Sequence, residues 1–516
     1  MIGGDAVHRY HDGTKHQFSQ FARSLGYLDW ASQPNPFRSY AGTPIVGRSS
    51  FHESHAVSAD LLRHSLGLSA WKQLRDARWS LRVNPSSGNL HPTEAYLVCG
   101  ETSGGRVYHY APDRHELEQR CAFAGSAWRE PVADPAAFLV ALTSIHWREA
   151  WKYGERAFRY CQHDLGHAIA AVRIAAAVHG LHARLLSDWT HGDIAALTGV
   201  DRDADYIDAE REEAGAVMAV GPKPFVVDPV RRTPLVAAVR SGQWTGRASQ
   251  LSEDHVQWTF IDEIAEATRR EGGVGNRFLD ETAENDSRPL HPSYTRELIL
   301  QRRSAVALDG SSSIAADRFF TILQRTMPAD AAPWDALWWD ARIHLALFVH
   351  RVDEVEPGLY LLVRNRSALE RLREACDSEF LWRRAHDTLP LFLLARGDCR
   401  AQSQRLSCDQ DIAADGFFSL GMLADFDASL AAFGPAFYRR LFWESGVVGQ
   451  VLYLEAEAAG ARGTGIGCFY DDPVHDVLGI RDHAFQSLYH FTIGIPVEDT
   501  RLTTEPGYEW EKRRKE

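Results

Sequence analysis

The stretch Gly154–Val200, GERAFRYCQHDLGHAIAAVRIAAAVHGLHARLLSDWTHGDIAALTGV, lies without a gap over Gly434–Ile480, GPAFYRRLFWESGVVGQVLYLEAEAAGARGTGIGCFYDDPVHDVLGI. Gly154, Gly166, Gly180 and Gly199 fall on Gly434, Gly446, Gly460 and Gly479; Arg159 falls on Arg439, and the apolar positions between largely agree. Glycine is common, so four coincidences alone are moderate evidence. The matched context adds the weight. Each copy reads as a long amphipathic helix stopped by a glycine (Gly180, Gly460), a short extended piece, a polar turn and a shorter helix ending at Gly199 or Gly479. An apolar strand ending in glycine follows each, Ala216–Gly221 and Tyr489–Gly494. Two copies of one domain are the expectation. Helices alternate with a few strands and no strict βαβ repeat appears. This predicts an α+β fold in which each domain has a mostly antiparallel central sheet flanked by helices.

Size and composition bound the rest. A chain of 516 residues with 45% apolar residues and 15 tryptophans can bury two or three cores. A net charge of −13 argues against nucleic acid as the main partner. Seven scattered cysteines, an odd number, fit a reducing cytoplasm better than a disulfide framework. No basic-then-apolar signal opens the chain, and no apolar run reaches membrane-spanning length. The boundaries read as an N-terminal arm (1–40), a first domain (41–224), a crossover linker (225–290), a second domain (291–504) and a C-terminal tail (505–516). The basic end Lys512–Lys515 reads as a solvated tail.

The conspicuous chemistry differs between the copies, which points to one composite pocket. Arg302-Arg303-Ser304 follows a helix end. Two guanidiniums and a hydroxyl there suit a phosphate, or a solvated basic helix end favoured by the helix dipole. Pro85-Ser86-Ser87-Gly88-Asn89 is a tight turn whose hydroxyls and amide suit the polyol and polar edge of a ring cofactor, or else an ordinary surface turn. Gly463-Thr464-Gly465-Ile466-Gly467 follows a helix, not a strand, and its spacing is not that of a dinucleotide-binding loop. Its glycines would let the backbone approach a flat ligand. Lys152-Tyr153 is a further candidate, because lysine is rare here and a desolvated lysine can act as a base. The equivalent second-copy residues are Ala432 and Phe433. His163 and His167 stand four apart on a helix and could share a zinc ion. However, aspartate follows the first histidine where a metalloprotease has glutamate, and no third ligand is evident.

This set resembles the flavin-dependent nitroreductase family, and within it the SagB-type branch related to thiazoline and oxazoline dehydrogenases. The resemblance implies FMN at an interface between two domains. An Arg-x-Ser would hold the phosphate (Arg302, Ser304, with Arg303 beside them). A glycine turn would contact the ring (Gly465, Ile466, Gly467). A Pro-Ser-Ser-x-Asn turn from the partner domain would complete the site (Pro85, Ser86, Ser87, Asn89), and a basic residue near the domain's end would add a phosphate contact (Arg501). It also implies that Lys152 and Tyr153 handle a proton. NADH or NADPH is a candidate donor, and a small molecule or a peptide a candidate substrate. The first copy has Leu185-Leu186-Ser187 in place of the glycines, and the second has Trp338-Trp339-Asp340-Ala341 in place of the serine turn. The chain is therefore expected to be a monomer acting as a pseudo-dimer, with one FMN per chain and a degenerate second site. The alternatives are a flavin-binding partner subunit without turnover in a biosynthetic assembly, or a zinc enzyme using His163 and His167.

Overall fold

The computed structural model describes residues 2–132, 134–227, 229–271 and 294–512. The Gly-rich and acidic part of the crossover linker, the expected start of the second domain at 291–293, and the basic tail after Lys512 lie outside the described residues.

Two antiparallel sheets stand one in each half. The first runs in the order Gln243–Trp244, Glu116–Phe123, Gly104–Ala111, Thr93–Glu101, Phe138–Ser144, Glu213–Gly221, His182–Leu185, with Ile45–Val46 added beside Glu116–Phe123. The second runs Arg383–Arg384, Leu391–Arg396, Gly358–Leu362, Ile343–Val349, Phe418–Asp425, Phe485–Gly494, Arg462–Ile466. Helices cover both sheets, so the architecture is α+β. Six strands match in order, from Glu116–Phe123 to His182–Leu185 and from Leu391–Arg396 to Arg462–Ile466, while the outer edge strands Gln243–Trp244 and Arg383–Arg384 come from different points of the chain; the Leu185–Met218 pairing of the first edge recurs as Gly465–Phe491 in the second. No described helix is long and apolar enough to cross a membrane.

The long helices Ala157–Val178 and Tyr438–Ala458, expected as amphipathic, are buried nearly all round and pack on each other, and their polar groups such as Arg159, Asp164 and Glu444 are held by buried partners. Phe158, Leu165 and Ile169 share one core with Leu441, Val448 and Leu452, so the two halves are not separately packed. A glycine inside a helix costs about 1 kcal/mol against alanine, and here the cost has a reason. A methyl on Gly166 would run into the Trp443 carbonyl, and one on Gly446 into the His163 carbonyl. The two helices cross backbone against backbone at this paired glycine.

A second correspondence is not legible in the sequence. The helix Ile2–Gly13, in the N-terminal arm, and the helix Thr259–Ala267, in the crossover, hold equivalent places. Arg159 donates to Thr14 Oγ1 (2.9 Å) and the His11 carbonyl, whereas Arg439 donates to Thr268 Oγ1 (2.9 Å) and the Ala265 carbonyl (2.6 Å). The His16 amide donates to Asp471 Oδ2 (2.8 Å), and the Arg270 amide to His191 Nδ1 (2.7 Å). Asp471 and His191 are themselves equivalent by the 154-to-434 alignment. Arm and crossover thus each supply one helix to the middle of the molecule. The rest of the described crossover packs on the first half, where Gln243–Trp244 extends the first sheet. The chain end returns too: Thr503–Pro506 pairs with Leu68–Leu74, which pairs with Ala77–Arg82.

Gly166→Ala forces the two helices apart. Overpacking of this kind costs about 1–3 kcal/mol. The expected outcome is a lower urea midpoint of unfolding, despite alanine's better helix propensity. An unchanged or raised midpoint contradicts the close crossing.

Candidate functional site

A cavity of about 430 Å³ opens between the halves. Its floor comes from the long helices, which contribute Tyr160, Asp164 and His167 from one and Tyr453 from the other. The Pro85–Asn89 turn and the hairpin residues Trp79 and Leu81 wall it from the first half. Arg302 to Val306, the edge strand through Gly465 and Ile466, Gly467 and Cys468 wall it from the second. Pro85, Ser86, Ser87, Asn89, Tyr153, Arg302, Arg303, Ser304, Gly465, Ile466 and Gly467 all line it.

Two of the expected residues lie elsewhere. Arg501 is turned outward. The chain leaves the second sheet at Pro496, and Asp499 accepts from both the backbone amide (3.0 Å) and the guanidinium (2.8 and 2.7 Å) of Arg501, tying that side chain to the surface. Lys152 is not in the lining; its Nζ stands 5.2 Å from the centre of the Tyr153 ring, while Tyr153 itself faces the cavity. Lys72, Arg82 and Arg462, to which sequence reasoning gave no phosphate contact, also line it. Lys72 is carried there by the first-half hairpin, and its Nζ donates to Thr504 Oγ1 (2.6 Å).

The serine turn uses its polar groups to hold its own shape. Ser86 Oγ meets His91 Nδ1 at 3.1 Å, Ser87 donates from its amide (3.0 Å) and hydroxyl (3.1 Å) to Asp164, and Asn89 Nδ2 donates to the Ser80 carbonyl (2.9 Å). Gly88 takes a positive φ of 60°, and a side chain there would strike the Tyr153 hydroxyl. The Gly463–Gly467 run, expected as a turn, is instead the edge strand Arg462–Ile466 plus its exit. Glycine is needed because large side chains cover it: Tyr489 lies on Gly465 and Tyr160 on Gly467. The Gly465 amide donates to Tyr453 Oη (2.9 Å), and Ser304 Oγ donates to the same oxygen (3.0 Å).

The electrostatics are uneven. Arg302 is buried and donates once, to the Arg82 carbonyl (3.1 Å), while its Nε and one terminal nitrogen have no partner among the described residues. Burial lowers its pKa, and burial together with the Arg302 charge pushes Arg303 down to about 10. Arg303 donates to the backbone carbonyls of Leu300 (2.7 Å), Arg302 (2.7 Å) and Ser69 (3.0 Å). Two adjacent guanidiniums that form no ion pair with a carboxylate among the described residues suit an anion such as a phosphate. Trp79, Leu81 and the tyrosines supply apolar and aromatic surface beside that end. This donor set fits a phosphorylated flat cofactor. Burial also holds the Tyr153 phenol well above its usual range, so it carries its proton at neutral pH. Asp164 is pushed up to about 7 by burial, against its bonds to Ser87, and burial plus the Asp164 charge raises Glu149 well above the usual carboxyl range.

His163 stacks on Tyr489 (4.3 Å between ring centres), and His167 meets Gln450 Oε1 (3.3 Å) and Tyr489 Oη (3.2 Å). Among the described residues, the groupings of three possible metal ligands are His16, Cys408, Cys468 and His55, Cys99, Glu101; neither includes His163 or His167.

The place equivalent to the cavity is filled. There Leu185 and Ser187 face Asp335 to Trp338 around a hollow of about 10 Å³. Arg173, equivalent to Tyr453, reaches across the boundary and grips Asp335 with two bonds (2.9 and 2.7 Å).

Residues 64–221 match the model of the nitroreductase family. The chain carries a nitroreductase-family domain in its first half. It is 33% identical over 110 residues to the trifolitoxin-processing protein TfxB of Rhizobium leguminosarum bv. trifolii, a match spanning 19% of this chain and 30% of TfxB. It is 30% identical over 107 residues to MJ1384 of Methanocaldococcus jannaschii, a protein assigned to the nitroreductases, spanning 19% of this chain and 53% of that protein. The matches thus reach about a third and about half of the lengths of these two relatives. A crystal structure assigned to the nitroreductases, from Anabaena variabilis, superimposes over 95% of this chain and 99% of its own with a TM-score of 0.70 at 21% identity. The two-sheet architecture therefore recurs as one fold in another single chain.

The Asp164 carboxyl titrates higher in the fold than in the unfolded chain, so the folded state binds more protons between about pH 4 and 7. Stability contributed by this group is full below pH 4 and falls as pH rises through 7, by at most about 1.4 kcal/mol per pH unit. Asp164→Asn keeps an acceptor for Ser87 and is expected to flatten that slope. Parallel stability–pH curves for the two proteins contradict the assignment.

Proposed function

We propose that the chain is an FMN-dependent oxidoreductase of the SagB type, built by tandem duplication, with one flavin bound between its two domains. The carrying observation is the buried Arg302 beside Arg303, with unpaired guanidinium nitrogens at the end of a cavity that both halves wall. In this reading Arg302, Arg303 and Ser304 hold the phosphate, with Lys72 and Arg462 taking the basic role expected of Arg501. Gly465 and Ile466 of the edge strand, with Gly467 at its exit, and the Pro85–Asn89 turn flank the ring from opposite domains. When bound, FMN supplies hydride transfer between a nicotinamide and the substrate. The protein's part is to orient and to shield. Asp164 fixes the turn through Ser87. The Tyr153 hydroxyl, kept protonated by burial, serves as proton donor to whatever lies against it, and Lys152 acts through the Tyr153 ring. The likeness to a toxin-processing protein supports a substrate within a biosynthetic pathway, either a small molecule or a peptide-borne ring.

The test uses the full chain reconstituted with FMN. NADH or NADPH is expected to bleach the flavin absorbance without oxygen, and an added quinone to restore it. A chain that holds FMN yet cannot be reduced is a binding partner rather than an enzyme. Charge-assisted hydrogen bonds contribute about 1.5–3 kcal/mol each, so Arg302→Ala is expected to weaken FMN binding about 10- to 100-fold by fluorescence titration. An unchanged Kd removes the phosphate assignment.

A further inference from the structure

Cys408 and Cys468 stand sixty residues apart in sequence and 2.7 Å apart, sulfur to sulfur, in the fold. They are the two half-buried cysteines of the seven; Cys99, Cys121, Cys161, Cys376 and Cys399 are buried. Their meeting is built rather than incidental. Cys408 and Asp409 both take positive φ, 54° and 57°, which turns the loop after the helix Arg400–Leu406 back toward the second sheet. Gln410 Nε2 donates to the carbonyls of Ser407 (2.7 Å) and Cys468 (3.1 Å), and the Tyr470 amide donates to the Leu406 carbonyl (2.9 Å). Cys468 directly follows Gly467 and lines the cavity, so one sulfur of the pair is reachable from that space.

We propose that Cys408 and Cys468 form a reversible disulfide in the wall of the cavity, a two-electron redox site in its own right. A bond needs the sulfurs at about 2.05 Å, roughly 0.65 Å closer than they stand. His16 Nδ1, 3.7 Å from Cys468 Sγ, would complete a three-ligand set for zinc. Tetrahedral zinc with bonds of about 2.3 Å, however, needs its two sulfurs about 3.8 Å apart, which would push them more than 1 Å away from each other. The geometry therefore favours the bond over the ion.

The two thiols are also unequal. The shared hydrogen bond and the Arg156 guanidinium hold Cys468 below the usual thiol range, whereas the same bond and burial push Cys408 up. Cys468, which lines the cavity while Cys408 does not, is the sulfur a small disulfide reaches first, and Cys408 is the resolving one. With a small-molecule disulfide as oxidant, the Cys468 thiolate attacks one of its sulfurs. The small disulfide bond breaks, a mixed disulfide forms, and the first small thiolate leaves and takes a proton from water. Cys408 then loses its proton to water and attacks Cys468 Sγ, and the second small thiolate leaves. Two protein thiols are oxidised, one small disulfide is reduced to two thiols, and no other electron acceptor is required. This exchange does not depend on what the cavity binds.

The experiment takes the reduced full chain, exposes it to oxidised glutathione, quenches with acid, alkylates after unfolding and reads thiols by mass spectrometry. Two of the seven thiols are expected to escape alkylation, with a cross-linked peptide joining 408 to 468, and dithiothreitol is expected to restore both. Cys408→Ser is expected to stop at glutathione on Cys468, and Cys468→Ser to give no cross-link and little adduct. Seven alkylated thiols after oxidant, or glutathione on both cysteines without a cross-link, overturns the proposal. So does retention of one zinc ion per chain by sulfurs that the oxidant cannot touch.

Discussion

Gly166 against Gly446 is the contact on which the rest of the molecule depends. Two helices that cross with no side chain between them bring their faces to the shortest possible separation. That closeness puts Tyr160, Asp164 and His167 of one half on the same floor as Tyr453 of the other. It also makes a single core of the two halves, since Leu165 and Ile169 pack where Val448 and Leu452 do. The buried arginines on either side, Arg159 and Arg439, anchor the arm and the crossover to this axis through matching threonines. A buried guanidinium is costly unless fully paired, and each of these finds a carboxylate as well: Asp471 for Arg159 and Glu213 for Arg439, at 2.8 and 2.7 Å.

A symmetric crossing offers two equivalent places, and the sequence fills them differently. One has glycines on its edge strand, a tyrosine on its helix floor and unpaired guanidinium nitrogens. The other has Leu185 at the end of its strand and Ser187 just beyond it, and Arg173 where the tyrosine would be, gripping Asp335. The same backbone frame is open on one side and bolted on the other. Asp164 and Glu444, equivalent on the two helices, show the difference in one residue. Asp164 steadies a turn that faces open space. Glu444 instead takes the Trp339 indole (3.0 Å), the Arg342 and Ile343 amides and the Arg364 guanidinium, fixing the bulky Trp338–Ala341 segment in place.

Much of this arrangement is legible in the amino-acid sequence. The glycine register betrays the paired helices, because a mid-helix glycine that recurs must be met by a neighbouring backbone. The turn at Pro85 stands out because few residues of its run serve folding in an obvious way, and the arginines at 302 and 303 because two guanidiniums and a hydroxyl cluster at a helix end. What stays hidden depends on contacts that leave no pattern. Thr14 and Thr268 sit in segments with no visible likeness, and their equivalence rests on the one bond each accepts from a buried arginine, Arg159 or Arg439. The Gly463–Gly467 run reads as a turn because alternating small residues carry no apolar period; only Tyr489 and Tyr160, far off in sequence, reveal why an edge strand must be bare there. Asp164 reads as part of a histidine pair, and its hold on Ser87 is a contact across 77 residues that no local spacing signals. Arg501 has the right residue type at the right distance from the domain end, but a local turn with Asp499 captures it.

We propose that the chain holds one flavin and has closed the equivalent place. Counting flavin per polypeptide, by absorbance of released FMN against quantitative amino-acid analysis after full reconstitution and gel filtration, tests it most directly. The account predicts one FMN per chain. Two per chain would mean that the Arg173–Asp335 side is open after all, and a chain that retains none would leave the cavity without the occupant argued for it.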